Sequence, residues 1–311
     1  MFSKQRITIA VLFLLLGFVI SPVSADPTGS STETTSTTAV TTPPLLHAMR
    51  SNIDSPRTDG HIATLEFPIV KHQMSFESKP GQHPLDPALA WAKAGLTEYD
   101  AKVKDCVTTL VKRERLNGRL TGPEYMNVKV RREPFSVYIE YLKPQKLQGR
   151  EVIYVEGRNG GDCLAHGTGF QRMLGTLNVS PTGSLAKRFS RYPMTSVGIA
   201  NLVERLIEVA EKDVQRGECE VKYLQDVKIQ GRPCFCIQVT HPTPRSYFTF
   251  YKAMIYVDRE TNLPIRYESY SWPTRKGGAP ILLEEYTYLN MKFNVGLSDI
   301  DFSVKNPKYN F

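Results

Sequence analysis

From Lys104 onward the spacing of apolar residues shortens to two, and that period limits the fold more than any other feature of the chain. Residues 104–116 alternate in this way and run into Asn117-Gly118, a dipeptide suited to a tight hairpin. Strands are expected at 104–116, 123–131, 135–142, 150–157 and 162–166, and again at 219–228, 232–240, 249–257, 263–271 and 280–292. The later turns are Gln230-Gly231, the Pro-rich His241 to Pro244, Asp258 to Asn262, and Lys276-Gly277-Gly278. Sequential antiparallel strands in meander order favour one large curved sheet, so the fold class is mostly β.

Two segments keep a helical period instead. Asp86 before Pro87 reads as an N-cap with proline at the first helical position. Leu89, Trp91, Ala92, Leu96 and Tyr99 then give a helix over 87–99 one buried face. In the second helix Ile199, Leu202, Val203, Leu206, Ile207, Ala210 and Val214 share a face, charged residues take the other, and Gly217 stops it. Residues 167–197, rich in Gly and Pro with Phe170, Met173, Leu174 and Leu177 interleaved, read as a long loop or a loop around a short helix. Loops of that length often carry function.

The N-terminus has the three parts of a secretory signal: Lys4 and Arg6, an apolar run from Ile7 to Ile20, and the small residues of Val23-Ser24-Ala25. Residues 1–25 are therefore expected to be a cleaved signal peptide, and the protein periplasmic or secreted. Removing them lowers the formal charge from +8 to +6, mildly basic. Residues 26–84 are expected to be a disordered tether and extension, Ser/Thr/Pro-rich over 27–44, with too few large apolar groups to fold. The domain is expected over 85–311. Mixed runs such as Lys112-Arg113-Glu114-Arg115 read as a solvated strand face or turn, and an exported protein rarely meets nucleic acid. Five cysteines occur in an exported chain, so disulfides are permitted and one thiol is left over. Cys234 and Cys236 point to one face of a strand and are poorly placed to bond each other.

No constellation for chemistry emerges. His166 lies beside a Gly-rich turn but no nucleophile elbow accompanies it. Glu284 and Glu285 are adjacent on a strand and face opposite sides, whereas Glu268 and Glu284 could face each other across a hairpin, against a reading as a solvated outer face opposite Lys or Arg that base rates favour. No His or Cys has a partner at zinc-site spacing. No catalytic residue, metal or cofactor is expected. The aromatic load, 15 Tyr and 14 Phe, is more informative, because much of it lies on strands.

The order of elements resembles the periplasmic lipoprotein-carrier fold (LolA/LolB-like). The closest local match is the run from Ile255 through Asp258 and Thr261-Asn262 to Leu263-Pro264-Ile265-Arg266. Lys143-Pro144, then Gly149 to Tyr154, and the terminal Asp299-Ile300-Asp301-Phe302 are also similar. Residues 85–311 as a whole resemble an uncharacterised secreted domain-of-unknown-function family seen mainly in planctomycete bacteria, through Glu114-Arg115, Arg150 to Gly157, and Asn306 to Phe311. The carrier resemblance implies a half-open barrel, strongly curved and capped by helices, around an apolar cavity. The cavity-lining candidates are Phe135, Val137, Ile139 and Tyr141 on one strand and Tyr251, Ala253, Ile255 and Val257 on another. The function so implied is non-catalytic binding of a lipid or lipoprotein acyl chain, with the 167–197 loop and the 199–214 helix as lid. The alternative is a protein-interaction or sensor module with an envelope protein partner, and less favoured is an envelope hydrolase. Oligomeric state is not readable from these residues.

Overall fold

The computed structural model describes residues 69–311; the signal segment and residues 26–68 of the tether reading lie outside the described residues. Helix α1 (Asp86–Lys102) leads into β1 (Asp105–Leu116), β2 (Arg119–Leu120), β3 (Glu124–Arg131), β4 (Ser136–Lys143), β5 (Glu151–Val155), β6 (Cys163–His166) and β7 (Thr176–Val179). The one-turn helix α2 (Ser184–Lys187) and helix α3 (Ile199–Arg216) follow. Strands β8 (Glu220–Ile229), β9 (Arg232–Thr240), β10 (Lys252–Asp258), β11 (Pro264–Ser271) and β12 (Ile281–Phe293) complete the set. Among the described residues no helix is long and apolar enough to cross a membrane.

The strands form one open antiparallel sheet, a half-barrel capped by helices, in the order β7-β6-β5-β4-β3-β1-β12-β11-β10-β9-β8. Ten strands were expected and twelve are present among the described residues. Short β2 pairs only with the end of β1. Strand β7 falls inside the segment expected to be a loop; it pairs with β6 alone, and three of its four residues are exposed, so no apolar alternation marks it. Nor is the sheet a single meander. Two meanders are joined where β1 pairs with β12, across more than half the chain.

Local chemistry explains the turns. Asn117 and Gly118 have φ of 50° and 79°, the left-handed pair that matches strand twist. Gln230-Gly231 repeats this with φ of 50° and 81°. Helix α1 starts at Asp86 rather than being capped by it: Leu85 takes the cap position, and the Asp86 carboxylate accepts from the His83 N–H at 2.9 Å.

Both faces of the sheet are covered. The helices lie on the inner face. On the outer face the C-terminal tail packs Phe302, Tyr309 and Phe311 against Tyr138, Ile153 and Val155. The Tyr309 ring stacks on Tyr138 at 4.0 Å between centroids. Buried Glu151 accepts from the Tyr138 hydroxyl at 2.8 Å and from the Asn310 N–H at 2.8 Å.

Residues 69–84 correct the expected domain boundary at residue 85. Ile69 and Val70 are buried in the core, and Met74 packs in a second apolar cluster. The backbone at the buried start of this segment is hydrogen-bonded, as burial requires. Glu98 of α1 accepts from the N–H groups of Lys71 and His72 at 2.6 and 3.0 Å. The Asn262 amide donates to the carbonyls of Val70 and His72 at 3.1 and 2.8 Å, and Lys102 Nζ donates to the Ile69 carbonyl at 2.6 Å. Gly95 admits this segment, because a Cβ there would stand 3.1 Å from Val70 Cγ1. Asn262 is itself set by the turn after β10, where Asp258 accepts from the N–H and hydroxyl of Thr261 and from both Arg232 donors at 2.7 and 2.9 Å.

Asn262→Ala leaves two carbonyls without a donor and keeps φ at 57°, so chemical denaturation should show a loss of about 2 kcal/mol, with new proteolytic cleavage before Met74; unchanged stability would refute the clamp. Acid should act on the same region. Burial raises the Asp258 pKa, but Arg232 and Thr261 outweigh it, and the value lies below the ordinary aspartate range. For Glu98 burial is likewise outweighed by the Lys71 and His72 N–H groups. Both contributions are complete above the unfolded carboxyl values near pH 4 and are lost as pH falls through the lower folded values. A Tm series from pH 6 to pH 2 should therefore fall steeply below about pH 4, and Asp258→Asn should flatten that fall.

Candidate functional site

The inner face is built from alternate residues of strands on both sides of the β1–β12 seam. Val128, Val137, Ile139 and Tyr141 pack with Tyr99 of α1 and with Ile199 and Val203 of α3. Phe235, Ile237, Ala253, Ile255 and Val257 pack with Trp91 of α1 and with Leu206 and Ala210 of α3. Six of the eight cavity-lining candidates, Val137, Ile139, Tyr141, Ala253, Ile255 and Val257, are buried on this face. Phe135 precedes β4 and packs against its edge. Tyr251 precedes β10, half-buried, with its ring 6.0 Å from Trp272.

The interior is nearly full. One crevice of about 20 Å³ lies between the start of α3 and the sheet, lined by Tyr99, Val128, Phe135, Ile199 and Tyr288. Another of about 20 Å³ lies between α1, α3 and Leu263. Each has room for about one water, and Phe135 is the one predicted residue that reaches either of them. The other candidates touch protein.

At the far end of the same face the lining turns polar. Leu110, Lys112 and Glu114 follow one another on the inner side of β1. Lys112 and Glu114 are 6 % and 1 % exposed, which corrects the expectation that Lys112-Arg113-Glu114-Arg115 is a solvated run. Glu114 stands directly across from Glu284 in the β1–β12 register. The Tyr286 hydroxyl lies between them, donating to Glu114 at 2.5 Å and reaching Glu284 at 3.5 Å. Lys112 Nζ lies 3.1 Å from Glu114 and 3.5 Å from Glu124. Burial works against its charge, but Tyr141, Glu114 and Glu124 together hold its pKa above the ordinary lysine range. For Glu124 burial dominates and raises the carboxyl pKa against the pull of Lys112.

The segment between α2 and α3 is fastened onto this cluster. The Phe189 carbonyl accepts from Lys112 at 3.1 Å, and the Ser190 hydroxyl donates to Glu114 at 3.3 Å. Arg191 Nε pairs with Glu284 at 2.8 Å. The Tyr192 hydroxyl donates to Glu284 at 3.0 Å; burial, then Glu284, pushes its pKa up to about 12, so it keeps its proton. Four consecutive residues thus fasten this segment to the sheet by polar contacts. The other end of α3 is anchored differently. His241 Nε2 lies 3.1 Å from Asp213 in the last turn of α3, and Nδ1 lies 3.0 Å from the Phe250 carbonyl. Both side chains are buried, and Phe248 stacks on the imidazole at 3.7 Å.

The expected Glu268–Glu284 pair does not form. Glu268 is opposite Glu285 in the β11–β12 register, while Glu284 faces Ser269. Glu268 is bound to Arg266 and Tyr270 on the outer side. On the inner face Glu114 and Glu284 do stand opposite each other, and both are occupied by their partners. A period-two reading through Leu110 points Glu114 inward; its facing Glu284 depends on a pairing between distant strands that no local pattern carries. His166 is buried beside the Phe311 ring, 5.8 Å between centroids. All five cysteines are free thiols, with burial raising Cys106, Cys163, Cys219, Cys234 and Cys236 above the ordinary thiol pKa. Among the described residues no group of three or more His, Cys, Asp or Glu side chains is arranged to hold a metal.

Among solved structures the chain is similar to a putative outer membrane lipoprotein-sorting protein domain from Vibrio parahaemolyticus, at 16% identity and TM-score 0.31 over 68% of this chain and 97% of that one. It is similar to the Mycobacterium tuberculosis lipoprotein LppX at 15% identity and TM-score 0.38, over 68% and 98%. It is also similar to a LolA superfamily protein from Nitrosomonas europaea at 12% identity and TM-score 0.28, over 65% and 91%. No curated protein matches the chain. The family described as protein of unknown function DUF1571 matches residues 103–311, the entire sheet with α3 and the tail, and the chain belongs to that family.

Proposed function

We propose that this protein is a non-catalytic envelope binding protein, exported by its N-terminal signal, that takes a lipid or lipoprotein acyl chain between α3 and the inner face of the sheet. The observation that carries this reading is the contrast between the cover and what it covers. An apolar face spans the sheet from β4 to β9, and the lid over one end of it is held by a few polar contacts at 189–192. Crevices of about 20 Å³ fall far below the several hundred Å³ of a ligand pocket, so in this reading the groove must open to take a chain. Uptake requires the 189–192 latch to release and α3 to swing away, with Asp213–His241 as the fixed end. Each methylene then buried contributes about 0.8 kcal/mol. A protein-interaction or sensor module with the same fold is the reading left if the interior never opens.

A native mass spectrum of the mature chain purified from a periplasmic extract should show excess mass that solvent extraction removes and that fragments as a lipid. In vitro, a fluorescently labelled fatty acid should bind in stoichiometric amount. Arg191→Ala, which removes a charge-assisted contact of about 1.5 kcal/mol, should speed its association roughly tenfold while leaving capacity unchanged. Bare protein in the spectrum, together with no probe uptake by wild type or variant, would overturn the carrier reading.

A further inference from the structure

Nine large apolar side chains are exposed among the described residues, and six of them fall within one short stretch: Phe170, Met173, Leu174, Leu177, Leu185 and Phe189. Phe170 and Met173 are 75 % and 79 % exposed. The other three, Leu224, Tyr247 and Ile300, lie apart in the sequence. Single exposed apolar groups are ordinary, but a concentration of them marks a contact surface. This stretch is also unusual in charge. Acids are 31 of the 311 residues, yet none occurs from Cys163 through Val203, while Arg172, Lys187, Arg188 and Arg191 do. Arg172, Lys187 and Arg188 are exposed among the apolar groups. The stretch occupies the margin of the sheet: β7 ends the strand order, with a 3-10 turn at Gly169–Leu174 before it and α2 after it.

We infer that residues 169–189 dock the domain on an anionic bilayer surface. The apolar side chains enter the boundary between headgroups and acyl chains, and the cations among them meet lipid phosphates, the arrangement by which surface-lying segments bind membranes. Charge selects this occupant. Two copies of the chain meeting through this same surface would bring Arg172, Lys187 and Arg188 of each against their counterparts, and like charges across an interface oppose association. An anionic lipid surface complements both properties at once. The inference is separable from the groove reading, since Phe170, Arg172, Met173 and Lys187 lie outside the 189–192 latch.

The test uses the full mature chain, sedimented with vesicles of phosphatidylcholine alone or with roughly one third phosphatidylglycerol. Binding should be confined to the anionic vesicles and should fall as salt is raised. Each cation lost near such a surface weakens partition about fivefold, so R172Q/K187Q should bind roughly twenty-five-fold more weakly. F170S/M173S should also lose binding. Both variants change exposed residues and should keep the wild-type Tm and wild-type uptake of the labelled fatty acid, so failure here is distinguishable from failure of the groove reading. Equal binding to neutral and anionic vesicles, no binding to either, or variants that bind like wild type would overturn the inference. So would a wild-type dimer in analytical ultracentrifugation that F170S/M173S abolishes, since the surface would then belong to a second copy.

Discussion

The pairing of β1 with β12 is the constraint on which the rest of the structure depends. Each of these strands begins or ends a meander that is otherwise local, and their ladder from Cys106–Phe293 to Glu114–Glu284 turns two ribbons into one sheet. The inner face exists as a continuous surface only after that seam forms. The polar cluster depends on it most directly, because Glu114 comes from one meander and Glu284 from the other. A contact between strands so far apart in sequence is entropically costly to close, and topologies dominated by such contacts fold slowly.

Burial on both sides follows from the open sheet. The helices cover the inner face, and the tail covers part of the outer face through Phe302, Tyr309 and Phe311. Strand residues Tyr138 and Ile139 are therefore both buried although they point to opposite sides, and β4 shows buried residues at successive positions instead of strict alternation. The 189–192 segment differs from both covers. It contributes hydrogen-bonding groups to Lys112 and to carboxylates that the sheet has already desolvated, so its attachment depends on charge and direction more than on apolar area.

Much of the fold was legible because its signals are local. Asn117-Gly118 and Gln230-Gly231 mark hairpins by backbone preference alone, and the α3 face is spelled out from Ile199 to Val214. The period of two put Val137, Ile139 and Tyr141, and likewise Ala253, Ile255 and Val257, on common faces, and the structure gathers both sets on the inner side. Whether those faces line a void is a different matter, since it depends on how closely α1 and α3 approach, and periodicity carries no distance. Edge strand β7 was hidden because an exposed strand needs no apolar alternation. Glu114 was hidden by its charged neighbours: Arg113 and Arg115 point outward, and four charges in a row look solvated when alternate ones are not. Residues 69–74 were hidden because their stability is borrowed from Glu98, Lys102 and Asn262, far along the chain.

That borrowed stability has a mechanical side. Among the described residues, the segment from Ile69 to His72 is held by the Glu98 carboxylate, the Lys102 ammonium and the Asn262 amide. Tension applied along this segment is therefore shared between α1 and the turn between β10 and β11, which it ties together. The clamp works as a load divider, splitting the pull between a helix on the inner face and a turn at the end of a strand, so that neither carries it alone.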